Sequence, residues 1–151
     1  RTEVCMAQVS TYLNFPGTTE EAFNFYKSVF GTEFDGPVNR MGEVPPAEGQ
    51  PPISEEDKNL VMHVSLPILA GHMLRGTDAT ESMGFTVNAG NNVYINLGPD
   101  TRAESDRLFR GLSEGGNQEM EMQEMFWGDY FGSLTDKFGI HWMINCREKA
   151  A

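Results

Sequence analysis

The segment Tyr12-Leu13-Asn14-Phe15 recurs as Tyr94-Ile95-Asn96-Leu97, and the same spacing carries Thr19 to Thr101 and Phe30 to Leu112. A self-match that keeps one spacing from a strand to the end of a helix points to a duplicated unit, and a repeat fixes architecture before any residue has a role. Two copies in 151 residues make one domain of paired modules, long enough to bury a core.

Each copy reads in the same order. Residues 4–15 form a strand that stops at Pro16-Gly17, and Thr18-Thr19-Glu20-Glu21 has the form of a capping box. Ala22, Phe23, Tyr26, Val29 and Phe30 then fall at spacings of three and four, an apolar stripe that predicts a helix packed on a sheet and closed by Gly31. Strands are predicted over 32–40, 60–68 and 72–78, the last two joined by a tight turn at Ala70-Gly71. The second copy has a strand over 92–98, a capping box at Thr101-Arg102-Ala103-Glu104, and a helix stripe of Leu108, Phe109 and Leu112. Strands over 119–128, 129–135 and 139–146 follow, the last pair turning through Asp136-Lys137-Phe138-Gly139. The first βαβββ module thus spans 1–78 and the second 92–151, joined by a small-residue, polar connection.

Residues 41–59 interrupt this order. They hold Pro45, Pro46, Pro51 and Pro52 with five acidic residues, and so long a connection is either a solvated excursion or a lid able to cover a cleft mouth.

Charge and cysteine content exclude several classes. A net charge of −11 argues against nucleic acid and anionic membrane as partners, because both are bound through clustered Lys and Arg. No apolar run is long enough for a membrane span, and Arg1-Thr2-Glu3 shows no secretion-signal pattern. Cys5 and Cys146 lack metal-ligand spacing, which fits free thiols in the reducing cytoplasm. The chain has no Walker loop, no Gly-x-Ser-x-Gly elbow and no zinc spacing. No strand-to-helix glycine loop suits an adenosyl cofactor, since Gly115-Gly116 follows a helix.

Two βαβββ modules resemble the vicinal oxygen chelate superfamily, which includes glyoxalase I, extradiol dioxygenases and bleomycin-binding proteins. Within it, Tyr12-Leu13-Asn14-Phe15, Glu21-Ala22-Phe23-Asn24-Phe25-Tyr26, Val61-Met62-His63 and Gly76-Thr77-Asp78 are similar to the PhnB-like subgroup. So are Trp127-Gly128-Asp129 and Phe138-Gly139-Ile140-His141-Trp142. The resemblance implies an α+β fold of curved mixed sheets around a small-molecule cleft between the modules, in a homodimer. Metal-using members hold a divalent ion through His and Glu on three strands. Here the corresponding positions fall at Thr11 and approximately at Val93 and Met143, none of them a ligand for such an ion, so no cofactor is predicted.

The candidate ligand-binding residues are His63, Arg75, Trp127 and Tyr130. Strand alternation puts His63 and Ser65 on one face, where His63 would bind ligand or shuttle a proton; a packed histidine bonded to backbone is the commoner outcome. Arg75 lies mid-strand among apolar neighbours and suits an anionic ligand, against the commoner rim salt bridge. Trp127 and Tyr130, near a strand end, would line a cleft mouth, whereas Trp142 reads as core. The methionines 120, 122 and 125 read as core filling, with an adaptable pocket wall as the alternative. Asp78, Asp129 and Asp136 sit by turns and read as capping carboxylates. Two functions follow: a metal-free binder of a small molecule, or a lyase, isomerase or dioxygenase-type enzyme using His63 with a carboxylate, or a metal held elsewhere.

Overall fold

The computed structural model describes residues 6–151. Val4 and Cys5, the predicted start of the first strand and the first thiol, lie outside the described residues, as does Arg1-Thr2-Glu3. The chain forms two compact units, one running to Lys27 and over Gly31–Val87, the other comprising Ser28–Phe30 and Asn88–Ala151.

Unit 1 contains β1 (Thr11–Phe15), α1 (Thr19–Phe30) as far as Lys27, β2 (Asn39–Arg40), β3 (Val61–Pro67) and β4 (Met73–Asp78). Its sheet has the order β1-β4-β3-β2, with β1 parallel to β4 and the other pairs antiparallel. Unit 2 repeats this with β5 (Ile95–Leu97), α2 (Arg102–Ser113), β6 (Asn117–Glu124), β7 (Tyr130–Thr135) and β8 (His141–Cys146). Its order, β5-β8-β7-β6, again has one parallel pair, β5 with β8. The βαβββ order read from the duplicated segment is therefore the fold of both units, an α+β architecture of two mixed four-stranded sheets.

The helix stripe packs as its spacing requires. Ala22, Phe23 and Tyr26 are fully buried, and Phe23 lies so close to β4 that a Cβ on Gly76 would fall 2.4 Å from its ring. Glycine at position 76 is thus the condition for helix and strand to approach. Burying side chains such as Phe23 and Leu74 stabilises the unit by roughly 1.5–3 kcal/mol each. In unit 2 the counterpart is Trp142, fully buried on β8, whose Nε1 donates to Asp136 Oδ2 at 2.9 Å. Asp136 Oδ1 also accepts from the amides of Phe138 and Ile140, so one carboxylate shapes the β7–β8 turn and anchors the core indole.

The capping box predicted at Thr18 does not form. Thr18 makes no side-chain cap bond. Instead the buried carboxylate of Asp78, at the end of β4, accepts from Thr19 N at 3.0 Å and from Val61 N at 2.8 Å. A charged acceptor in the interior bonds these amides more strongly than a hydroxyl would, and it ties α1, β3 and β4 together. In the second copy Thr101 caps as predicted, accepting from Glu104 N, while Glu104 turns to Arg107 instead of reaching back. Gly31 closes α1 in the left-handed region, φ 68°, as its place in the sequence implied.

Several strand predictions shorten, residues 92–98 to Ile95–Leu97 and 119–128 to a strand that ends at Glu124 among them. Of residues 32–40 only Asn39–Arg40 pair as β2, because the chain first turns through Asp35-Gly36. Of residues 6–15 only Thr11–Phe15 pair. The methionine expectation divides: Met120, on the edge strand β6, is 38% exposed, whereas Met122 and Met125 are half-buried, Met122 packing over Gly132 of β7. Core filling needs a covered face, which an edge strand offers only in part. The proline-rich excursion is closed at its base by Met41 N bonding Leu60 O and by Arg40 Nη1 bonding Asn59 O, while residues 42–52 are exposed. Cys146 is a buried free thiol.

Removing the Asp78 carboxylate should leave two buried amides unpaired. Asp78→Ala is expected to cost about 2–5 kcal/mol in denaturant unfolding, and a loss below about 1 kcal/mol would show that the carboxylate is not the tie.

Candidate functional site

Each sheet has a helix on one face only, and the polar residues gather on the other. In unit 1, Leu13, Phe15, Val64, Leu66 and Leu74 are buried on the helix side. Alternation therefore turns Tyr12, His63, Ser65 and Arg75 to the opposite, open face. The pairing register sets Tyr12 beside Arg75 and Arg75 beside Ser65 across three adjacent strands.

The four side chains form a chain of hydrogen bonds. Arg75 Nη1 donates to Ser65 Oγ at 2.7 Å, Ser65 Oγ lies 2.9 Å from His63 Nε2, and His63 Nδ1 lies 3.3 Å from the Tyr12 hydroxyl. Ser65 is 4% exposed and Tyr12 is 48% exposed, so the group grades from the sheet interior to solvent. Among the described residues no carboxylate bonds any of the four. Arg75 thus keeps a half-buried guanidinium with unused N–H groups in a chain carrying twice as many acidic as basic residues, 22 against 11. Arg40, Arg102 and Arg107 all have glutamate partners.

Unit 2 carries a second polar group on its open face. Glu119 accepts from the Tyr94 hydroxyl at 2.6 Å and from the Thr135 hydroxyl at 2.6 Å. His141 Nδ1 lies 2.9 Å from Thr135 Oγ1 and 3.4 Å from Glu119 Oε1, and its Nε2 donates to Gly90 O at 2.8 Å. The Thr135 and Tyr94 hydrogen bonds hold the Glu119 carboxyl below its ordinary range, and the same contact raises the Tyr94 phenol. Every polar atom of this group has a partner within the unit.

The sequence candidates separate accordingly. His63 and Arg75 meet on Ser65, together with Tyr12, which the sequence reading passed over; the alternating pattern of β1 was the signal for it. Tyr130 sits on the helix side of its sheet, its hydroxyl donating to Asp106 on α2 at 2.6 Å and its ring 4.8 Å from the Arg102 guanidinium. The Asp106 bond raises the Tyr130 phenol. Trp127 lies at the β6–β7 turn, packed edge-on against Phe126 at 5.0 Å, both exposed. His72 is half-buried and bonds Thr11 Oγ1 at 2.9 Å.

A family model described as 3-demethylubiquinone-9 3-methyltransferase matches residues 7–145. The chain belongs to this PhnB-like family. Protein YjdN of Escherichia coli is 33% identical over 147 residues, covering 91% of this chain and 93% of that protein. A solved structure from Bacillus cereus, a putative 3-demethylubiquinone-9 3-methyltransferase and PhnB protein, is 26% identical with a TM-score of 0.70, covering 93% of this chain and 99% of its own. A glyoxalase/bleomycin resistance protein/dioxygenase family enzyme from Burkholderia phytofirmans shares the fold at 18% identity, with a TM-score of 0.59 and coverage of 91% and 98%.

The family description names a methyl transfer, which calls for a methyl-donor cofactor. A helix N-terminus is the usual place for the anionic end of such a group. In the PhnB-like chain described here Asp78 already occupies the amide of Thr19, and Glu148 Oε2 accepts from Arg102 N at 2.6 Å. Neither helix start fits an adenosyl cofactor. The divalent ion that the sequence resemblance would imply fits no better: Thr11 Oγ1 is engaged with His72, and the approximate positions Val93 and Met143 offer no suitable donor. Among the described residues no three His, Cys, Asp or Glu side chains come together. Among the described residues no helix is long and apolar enough to cross a membrane.

The depressed Glu119 carboxyl gives a signed expectation. A folded value below the unfolded one adds stability that is fully present above the ordinary carboxylate range and is lost as pH falls through the folded value. Glu119→Gln should be less stable than the native chain at neutral pH, with the gap narrowing on acidification when urea unfolding is followed against pH. A gap independent of pH would mean that the carboxylate charge plays no part.

Proposed function

We propose that this PhnB-like protein binds a small polar molecule on the open face of unit 1, without a metal ion. One observation carries the reading: Arg75, half-buried and free of any carboxylate among the described residues, shares Ser65 with His63 and stands beside Tyr12. A desolvated guanidinium with unused donors is costly unless a ligand supplies acceptors, and a few convergent polar groups on an otherwise apolar scaffold are the usual makeup of a small-molecule site. The alternative, an acid–base enzyme pairing His63 with a carboxylate, lacks that carboxylate; the ring partner of His63 is Tyr12, with centroids 5.9 Å apart.

The protein works as a homodimer in this reading. The support is β6, an eight-residue edge strand with both faces largely uncovered, followed by exposed Phe126 and Trp127. Uncovered edge strands of this length invite pairing.

Thermal denaturation against a panel of small organic anions and of zinc, nickel, manganese and iron tests the site. A ligand at a hundredfold excess over its dissociation constant raises stability by roughly 3 kcal/mol, and the metals should give no rise that a chelator removes. His63→Ala should weaken the organic ligand while costing under about 1 kcal/mol of stability, since an open-face side chain lacks close packing. Strong destabilisation with unchanged binding would make His63 a structural residue. Light scattering should give twice the 16.8 kDa chain mass, and a monomer at all concentrations would reject the dimer.

A further inference from the structure

The duplication supplies an internal comparison for the unit 1 cluster. Tyr12 and Tyr94 are the same position in the two copies. In unit 1 the strand register pairs Leu13 with Gly76 and Ser65 with Arg75. In unit 2 it pairs Ile95 with Trp142 and Thr135 with His141. The trio Tyr12, Ser65 and Arg75 therefore corresponds to Tyr94, Thr135 and His141: a phenol, an aliphatic hydroxyl and a nitrogen base at matching places on matching faces.

Their surroundings differ, above all in one carboxylate. In unit 2 the phenol and the hydroxyl both donate to the carboxylate of Glu119, with the His141 ring 3.4 Å from it. Glu119 comes from β6, eight residues long. In unit 1 the corresponding edge strand, β2, has only Asn39 and Arg40, and the residue opposite His63 is Asn39. Among the described residues no carboxylate bonds the cluster, yet its nitrogen member is the permanently charged guanidinium of Arg75 in place of an imidazole, and His63 adds a further ring.

We infer that the unit 1 cluster is a binding site for the carboxylate group of a small-molecule ligand, which occupies the place that the Glu119 side chain fills in unit 2. The Tyr12 hydroxyl, Ser65, His63 and Arg75 supply the hydrogen bonds. Arg75 holds one oxygen of a planar two-oxygen anion through the N–H groups that Ser65 leaves free, and Tyr12 closes the site from the solvent side. A carboxylate is favoured over a tetrahedral anion because the internal copy is itself a carboxylate held by the matching hydroxyls. This inference rests on the unit 1 face being the ligand site, and it adds which chemical group is bound there.

The test is a titration of the intact chain with sodium acetate, and separately with inorganic phosphate, followed by nuclear magnetic resonance of the Arg75 Nε–H and the His63 ring. Acetate should give saturable shifts at both residues. Arg75→Gln should weaken them by roughly tenfold or more, as expected for loss of a charge-assisted pair. Asn39→Glu, which sets a carboxylate on the edge strand opposite His63, should abolish acetate binding while leaving the fold intact by circular dichroism. Acetate shifts that persist in both variants would overturn the assignment. Phosphate shifting the two residues more tightly than acetate would overturn the carboxylate class while the unit 1 site stood. Should neither anion shift them while a neutral compound still binds there and depends on His63, the inference fails and the proposed function survives; if no compound depends on His63, the proposed function fails too.

Discussion

The carboxylate of Asp78 is the interaction on which the rest of unit 1 depends. It is buried, it ends β4, and it accepts from the first amide of α1 and from the first residue of β3. Those two bonds fix the height of β3 against β4 and the entry of the helix. The same register then decides which side chains meet on the far face: Arg75 stands three residues before Asp78, and His63 and Ser65 follow Val61 at the alternation that turns both outward. A polar cluster on an open face is thus positioned by a polar group buried on the covered one.

Duplication explains the architecture, and divergence between the copies explains the chemistry. Both units place one helix against four strands and leave one sheet face without a helix. In unit 2 the long β6 delivers Glu119, and the open-face network is complete within itself. Shortening the equivalent strand to β2 removes that acid, while a guanidinium takes the place of an imidazole. Helix capping diverged in the same way: Asp78 replaces the hydroxyl cap in unit 1, whereas Thr101 keeps it in unit 2, with Glu148 on the preceding amide. Each substitution exchanges one way of satisfying a donor for another, so the fold is retained while the surface chemistry changes.

Membership of the PhnB-like family and a shared fold do not carry a reaction with them, because function resides in particular side chains set on the scaffold. The family description names a methyl transfer, but in this chain both helix starts are occupied by its own carboxylates. The positions at which the resemblance would put a divalent ion fall at Thr11 and approximately at Val93 and Met143, none of them a ligand for such an ion. What the scaffold does present is a set of donors aimed at an open face, chemistry suited to recognition more than to bond breaking.

The sequence by itself determined the βαβββ order of both modules, the helix stripes, the Gly31 stop, the Asp136 turn and the burial of Trp142, because these follow from periodicity and turn chemistry read over a few residues. It also pointed to His63 and Arg75 through alternation. It misplaced the α1 cap, the length of β2, Met120 of β6 and the facing of Tyr130. Those depend on partners remote in sequence: Asp78 outbids Thr18 only once β4 lies beside α1, β6 is uncovered only because it falls at the sheet edge, and Tyr130 turns to Asp106 only when α2 packs on β7. Tertiary structure alone decided that Ser65 joins His63 to Arg75 and that no carboxylate among the described residues reaches them, since strand register brings together residues that local sequence keeps apart.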